Sequence, residues 1–237
     1  MPKPELPTFR ISSVRRATAS TRIVRVDLAG ARFDYLAGQA ASIGVAGFPG
    51  SVPYSIASAP AETARGGWLE FLIKVEASGR WGHKFEHLAR GLRITIQGPH
   101  GGFTFPRTPR ERRFLFIAGG TGIAPIRAML RQMELARLPG RARVLYSART
   151  PGDFPYLTEL RRLMRERSVE VVLTVTREGG TRWRGERGRI AASRLAPLVD
   201  HPETLCFVCG PAAMVADVPL MLSGLGIARS RIRVEEY

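Results

Sequence analysis

The 237-residue sequence predicts two domains of different class: an antiparallel β-barrel or sandwich, then a doubly wound α/β domain with a parallel sheet. Three observations predict it. The first half holds short β-type runs separated by Gly, Pro and polar clusters. The second half alternates strand-type and helix-type segments. Between them lies a polar, proline-bearing, charged stretch, PRTPRERR (106–113), with the composition of a domain edge. The boundary is set at Pro109, giving domains 1–109 and 110–237.

Each element follows from its pattern. Residues 23–28, 41–45, 68–75 and 92–97 are apolar, β-branched runs and are read as strands, with a helix expected from Gly82 to Ala89. Beyond the linker, strands are expected at 114–118, 144–147, 169–175, 205–209 and 232–237. Helices are expected at 126–135, 157–164, near Ser193, and at 213–222. Such alternation builds a parallel sheet with helices on both faces, and ligands bind at the carboxyl ends of its strands.

Composition narrows the class. No apolar run is long enough to span a membrane, and MPKPELPTFR lacks the apolar core of a secretory signal, so a cytoplasmic protein without a membrane span is expected. Cys206 and Cys209 are the only cysteines, too few for a disulfide framework or a four-thiolate cluster. Three apart on a strand, they face opposite ways, so they are not expected to share a metal or a redox disulfide. The formal net charge is +16, carried mostly by arginine in both halves. It fits an acidic electron-transfer partner or a nucleotide phosphate, and equally an arginine-rich solvated surface. No nucleic-acid-binding motif accompanies it, and no nucleic-acid partner is expected.

The strongest local signal is FIAGGTGIAP, which leaves the first strand of the second half and enters a helix. Gly119, Gly120 and Gly122 remove side chains where the backbone must turn tightly and approach a ligand. Pro125 suits the first turn of a helix, and the free N–H groups there favour a phosphate. The stretch is a dinucleotide-binding turn by mechanism, although Pro125 stands where the usual fingerprint has its third glycine. The fourth strand of that half ends in Cys209-Gly210-Pro211, a small thiol and a tight turn at the same edge. The alternative for Cys209 is a buried structural cysteine.

Five motifs occur in order: Tyr54-Ser55 in PYSIAS, Gly98-Pro99 with Gly101 and Phe103 in GPHGGF, GGTGIAP, Cys209-Gly210-Pro211, and Glu235-Glu236-Tyr237. Together they resemble the ferredoxin–NADP reductase superfamily over nearly the whole chain. The resemblance implies an FAD-binding antiparallel barrel followed by a pyridine-nucleotide domain. It implies that Tyr54 packs on the isoalloxazine and Ser55 hydrogen-bonds its reactive edge, with Ile73 and Lys74 also at the flavin. It implies that Gly120, Thr121, Gly122 and Pro125 cradle the nicotinamide nucleotide, with Gly210 and Pro211 beside them. Cys209, Glu235 and Tyr237 fall near the nicotinamide–flavin contact, and Tyr237 could shield the flavin until nicotinamide displaces it. Ser147 and Arg149 fall at the adenosine ribose, where they suit a 2′-phosphate and favour NADPH over NADH.

The chain departs from the family at two positions. Val52 stands where an arginine normally meets the FAD pyrophosphate, and Gly82 where a serine or threonine does. Arg80 and Lys84, with the backbone at Gly82, are the expected replacements; FMN is the alternative flavin. His83 and His87 share a helical spacing but have no third ligand, and no metal is expected. The implied function is a flavin-dependent NAD(P)H oxidoreductase passing electrons to a separate acceptor, an acidic ferredoxin or flavodoxin. The alternatives are a nicotinamide-nucleotide-binding subunit or sensor without flavin, and a reductase of free flavin, quinone or ferric iron.

Overall fold

The computed structural model describes residues 7–75, 88–177 and 183–237. It comprises two compact units: Met1–Pro106 with Arg127–Ala136, and Arg107–Ile126 with Arg137–Tyr237.

The first unit is an antiparallel sheet of six strands: β1 (Thr8–Arg16), β2 (Thr21–Asp27), β3 (Ala40–Val45), β4 (Val52–Ser55), β5 (Trp68–Lys74) and β6 (Arg93–His100). Their order is β4-β3-β6-β1-β2-β5. Just past β4, Ile56 bridges Phe71 of β5, and the Ala57 N–H donates to the Glu70 carbonyl at 2.7 Å. The two ends of the order therefore meet and the sheet closes as a barrel, which leaves few exposed edges. Strand alternation sends Ile11, Val24, Ile43, Phe71 and Ile94 into one core.

Helix α1 (Pro60–Gly66) follows β4, and Glu62 in its first turn accepts the Ala59 N–H at 2.9 Å. Arg127, in the part of helix α2 (Ile123–Leu135) that belongs to this unit, donates to Glu62 at 2.7 Å and to the Ala57 carbonyl at 2.8 Å. Glu70 lies 3.7 Å from the same guanidinium. These buried charges are paired and hydrogen-bonded, as burial requires.

The four strand-type runs of the first half appear as β2, β3, β5 and β6. Strand β4 is an addition, and so is β1. Only Phe9 and Ile11 are buried along it, and the register shifts between Ile11 and Ser13. Outward arginines and the irregularity erase the alternation that would mark it. The helix expected from Gly82 lies largely in 76–87, outside the described residues.

The second unit is a parallel sheet in the order β10-β9-β8-β7-β11-β12. Its strands are β7 (Arg113–Gly119), β8 (Arg141–Ala148), β9 (Val169–Val175), β10 (Glu186–Arg187), β11 (Leu205–Gly210) and β12 (Ile232–Glu236). Helices α2, α3 (Leu157–Arg165), α4 (Ala192–Leu195) and α5 (Ala212–Gly224) lie between them in sequence. Leu115, Ile117, Cys206 and Val208 pack with Leu195, Val218 and Leu222 in one core. Phe116 and Phe207, paired across β7 and β11, stack at 5.3 Å. The order runs one way from β7 through β8 and β9 and the other through β11 and β12, so the switch point lies between β7 and β11. Ligands of such sheets bind outside the carboxyl ends there. Among the described residues no helix is long and apolar enough to cross a membrane.

Candidate active site

At the switch point, β7 ends in Gly119 and runs through the turn Gly120–Gly122 into α2. The glycines answer to close packing. A Cβ on Gly122 would sit 2.3 Å from the Cys209 carbonyl oxygen. One on Gly119 would sit 2.9 Å from the Met214 sulfur and 3.0 Å from Pro211. Gly120 has φ +52, and its Cβ would meet the Tyr237 hydroxyl at 2.6 Å. The turn is thus pressed against the Cys209-Gly210-Pro211 turn.

Two tyrosines hold it. The Tyr146 hydroxyl donates to the Gly120 carbonyl at 2.9 Å, and the Tyr237 hydroxyl to the Gly119 carbonyl at 2.7 Å. Tyr146 is wholly buried, and burial pushes its phenol well up, helped by the nearby Tyr237 and Asp153. Thr121 carries the turn's one side chain. Pro125 is the third residue of α2, whose first turn holds no acidic side chain. Unpaired N–H groups without a competing carboxylate suit a pyrophosphate, so the turn fits a dinucleotide.

Cys209 lies beside Ala118 on one strand and Glu235 on the other. It is buried, and burial, reinforced by the Glu235 charge, holds its thiol well above the ordinary range. The group is therefore a neutral thiol, not a thiolate nucleophile. Cys206 is also buried and free, and it belongs to the core on its face of the sheet.

Near the end of β8, Ser147 is buried in register with Gly119 and Thr174, and Arg149, just past the strand, is exposed. Asp153 is engaged locally: the Thr150 hydroxyl donates to it at 2.8 Å and the Thr150 N–H at 3.2 Å. Arg177, exposed past β9, donates its backbone N–H to the Arg149 carbonyl at 2.9 Å. Adjacent strand ends thus carry two arginines. Phe154 meets Tyr146 edge-on at 4.9 Å and stacks on Trp183 at 5.5 Å. Tyr146, Arg177 and this aromatic series escaped the sequence reading, because only the strand register brings them to the turn.

In the first unit, β4 ends the strand order and Pro53 stands in it, as an edge strand allows. Tyr54 pairs with Ala41 and Ser55 with Ala40 of β3, and Ala40 also pairs with His100 of β6. A Cβ on Gly98 would lie 3.2 Å from Ala41. PYSIAS and GPHGGF, far apart in sequence, are therefore neighbours across β3. Tyr54 is partly buried, which pushes its phenol up to about 12. Ile73 is buried in the barrel core and Lys74 is exposed at the end of β5. Tyr54, packed partly against the barrel core, and Ser55, the next residue, supply a ring and a hydroxyl of the kind an isoalloxazine needs. Nothing in Val52–Ser55 is cationic, so a phosphate must find its partners elsewhere. Arg80, Gly82 and Lys84, and with them His83 and His87, lie outside the described residues.

Comparison with known proteins agrees with this division. Residues 8–105 match the oxidoreductase FAD-binding domain family and residues 116–219 the oxidoreductase NAD-binding domain family. The chain is 34% identical to ferredoxin–NADP reductase B of Sorangium cellulosum over 193 residues, 78% of this chain and 77% of the relative. It is 30% identical to ferredoxin–NAD(P)(+) reductase CarAd of Metapseudomonas resinovorans, covering 98% of this chain and 71% of the relative. It spans 60% of the propane 2-monooxygenase reductase component of Mycolicibacterium smegmatis, at 30% identity over 87% of this chain. The ferredoxin–NADP(+) reductase structure from Neisseria gonorrhoeae shares the fold, with a TM-score of 0.81 at 22% identity over 99% of both chains. Barrel, switch-point turn and these likenesses define a flavin-dependent NAD(P)H oxidoreductase, with FAD-binding and NAD(P)-binding domains and a separate electron acceptor. The chain belongs to the ferredoxin–NADP reductase superfamily.

Proposed function

We propose that residues 1–109 hold FAD, residues 110–237 hold NADPH, and the chain is a reductase component serving an acidic carrier of the ferredoxin or flavodoxin kind. One observation carries the acceptor reading. The chain's only cysteines, Cys206 and Cys209, are buried in β11, so it has no thiolate set for a cluster of its own. Electrons taken up here pass to a separate acceptor, and a net charge of +16 favours an acidic one. The names of the relatives, reductases of ferredoxin and of a monooxygenase system, point the same way. An enzyme fed by NAD(P)H works where that pool is, and the cytoplasm is the proposed setting.

Bound FAD supplies the chemistry of taking a hydride and returning electrons singly. The chain's residues bind and orient. Tyr54 offers its ring face and Ser55 its hydroxyl to the flavin, with Ile73 and Lys74 at the end of β5. Arg80, Lys84 and the backbone at Gly82 take the phosphates that Val52 cannot. Gly120, Thr121, Gly122 and Pro125 receive the NADPH pyrophosphate, with Gly210 and Pro211 as the opposing wall. Cys209, as a neutral thiol, and Glu235 border the nicotinamide, and Tyr237 stands at the rim of the turn. Ser147, Arg149 and Arg177 take the 2′-phosphate. The engagement of Asp153 by Thr150 supports this choice over a ribose hydroxyl, which suits an uncommitted carboxylate.

The test is a visible spectrum of the purified protein, followed by anaerobic reduction with NADPH and NADH and then by an acidic ferredoxin at rising salt. A flavin spectrum that bleaches faster with NADPH, with carrier reduction that slows as salt rises, is expected. A colourless protein that takes up neither FAD nor FMN would overturn the reading. Full activity on free flavin, quinone or ferric iron, with none on a protein carrier, would replace the acceptor.

A further inference from the structure

The amino-terminal edge of the parallel sheet holds a cavity of about 230 Å³ lined by Arg110, Glu111, Arg112, Arg113, Glu203 and Arg231. Its position follows from the topology. Residues 110–112 lead into β7, which Arg113 opens; Glu203 stands just before β11, and Arg231 directly before β12. These three strands are neighbours and parallel, so their amino ends share one edge. The nucleotide turn lies at the other edge, about 20 Å away along the seven residues of β7.

The charges of this cavity are unbalanced. Arg231 lies 3.8 Å from Glu111 and donates to the Glu203 carbonyl at 3.0 Å. Arg113 reaches Asp200 at 3.7 Å. Arg110 and Arg112 have no ion-pair partner among the described residues. Four arginines and two glutamates thus line one small cavity, and Arg110 and Arg112 are the two arginines there without an ion pair among the described residues. Guanidinium forks bind phosphate oxygens in pairs, and a carboxylate accepts hydroxyl donors. The combination suits a phosphate group joined to a hydroxyl-bearing body. The volume suits a molecule much smaller than a dinucleotide.

We propose that this cavity binds a small phosphate monoester of a sugar or polyol, with Arg110 and Arg112 on the phosphate and Glu111 and Glu203 on the hydroxyls. The test is calorimetric titration of ribose 5-phosphate into the full chain saturated with FAD and NADP+, which keeps the nucleotide turn filled. One equivalent is expected to bind, more tightly than inorganic phosphate. Arg110→Gln with Arg112→Gln should weaken it by about tenfold or more, from the loss of charge-assisted hydrogen bonds. Both side chains are exposed, so the double variant should keep its melting temperature and its KM for NADPH. Arg149→Gln should leave the titration unchanged. No binding, binding indifferent to the double variant, or binding lost in Arg149→Gln would each overturn the proposal. Equal affinity for inorganic phosphate would overturn the sugar part of it.

Discussion

The turn at residues 119–122 is held by its own unit: two tyrosine hydroxyls sit on its carbonyls, and the Cys209 turn closes against its glycines. Strand β4, where the flavin is proposed to lie, carries a ring and a hydroxyl but no charge, with Val52 where a cation would serve a phosphate. The nucleotide turn is therefore preformed, its shape fixed whether or not a ligand is present. In the proposed reading, the flavin's phosphates are left to Arg80, Lys84 and the backbone at Gly82. A turn held in this way needs little ordering at each binding event.

The largest expected effect breaks the preformed side. In Gly122→Val the new Cβ meets a backbone oxygen at 2.3 Å, which cannot swing aside. Overpacking of this kind costs about 1–3 kcal/mol, and a displacement near 1 Å at a reacting group can cost about a hundredfold in rate. Stopped-flow reduction by NADPH should fall by that order while flavin content holds. Gly102→Ala, on the flavin side, has nothing within 4 Å of its Cβ and should be neutral.

A smaller effect probes the other side. Arg80→Gln with Lys84→Gln should weaken FAD by about ten- to a hundredfold, the worth of charge-assisted bonds. Adding Val52→Arg should recover most of it in a fluorescence titration. If the double variant keeps its flavin, backbone groups carry the phosphates and both ends are preformed after all.

Tyr146→Phe comes next. It removes the hydrogen bond to the Gly120 carbonyl, worth about 1 kcal/mol. The KM for NADPH should rise about fivefold with FAD affinity unchanged. This residue also shows where the sequence was legible. Local signals were: apolar runs gave both sheets, and five short motifs in order, the glycine turn and PYSIAS among them, carried the family resemblance. Tyr146 was not, because its role depends on β8 lying beside β7 in a register that brings it level with Ala118. Arg177 was missed for the same reason, and β1 because its outward face is charged. Asp153 was visible in sequence, but its engagement by Thr150 was not.

The smallest effect is the response to pH, and it should differ in sign between the units. In the first, burial alone would raise the Glu62 carboxyl, but Arg127, the Ala59 N–H and Arg131 together outweigh it and hold it below its ordinary value. Its stabilisation is present above that value and is lost as pH falls through the carboxylate range. In the second, burial raises the Cys206 thiol from 9.0 to about 12, and raises Cys209 further with Glu235 beside it. That stabilisation is complete below pH 9.0 and drains away above it, because the unfolded chain releases those protons first. Tyr35 and Tyr54 in the barrel rise from 10.0 to about 12, so their loss starts later. Limited proteolysis with mass spectrometry should find first cuts in the barrel on the acid side and in the parallel-sheet unit just above pH 9.0. Cys206→Ala should lower the melting temperature at neutral pH, through lost packing, yet flatten its fall above pH 9.0. Parallel declines in variant and wild type would mean that the alkaline weakening comes from another group, Cys209 first among them.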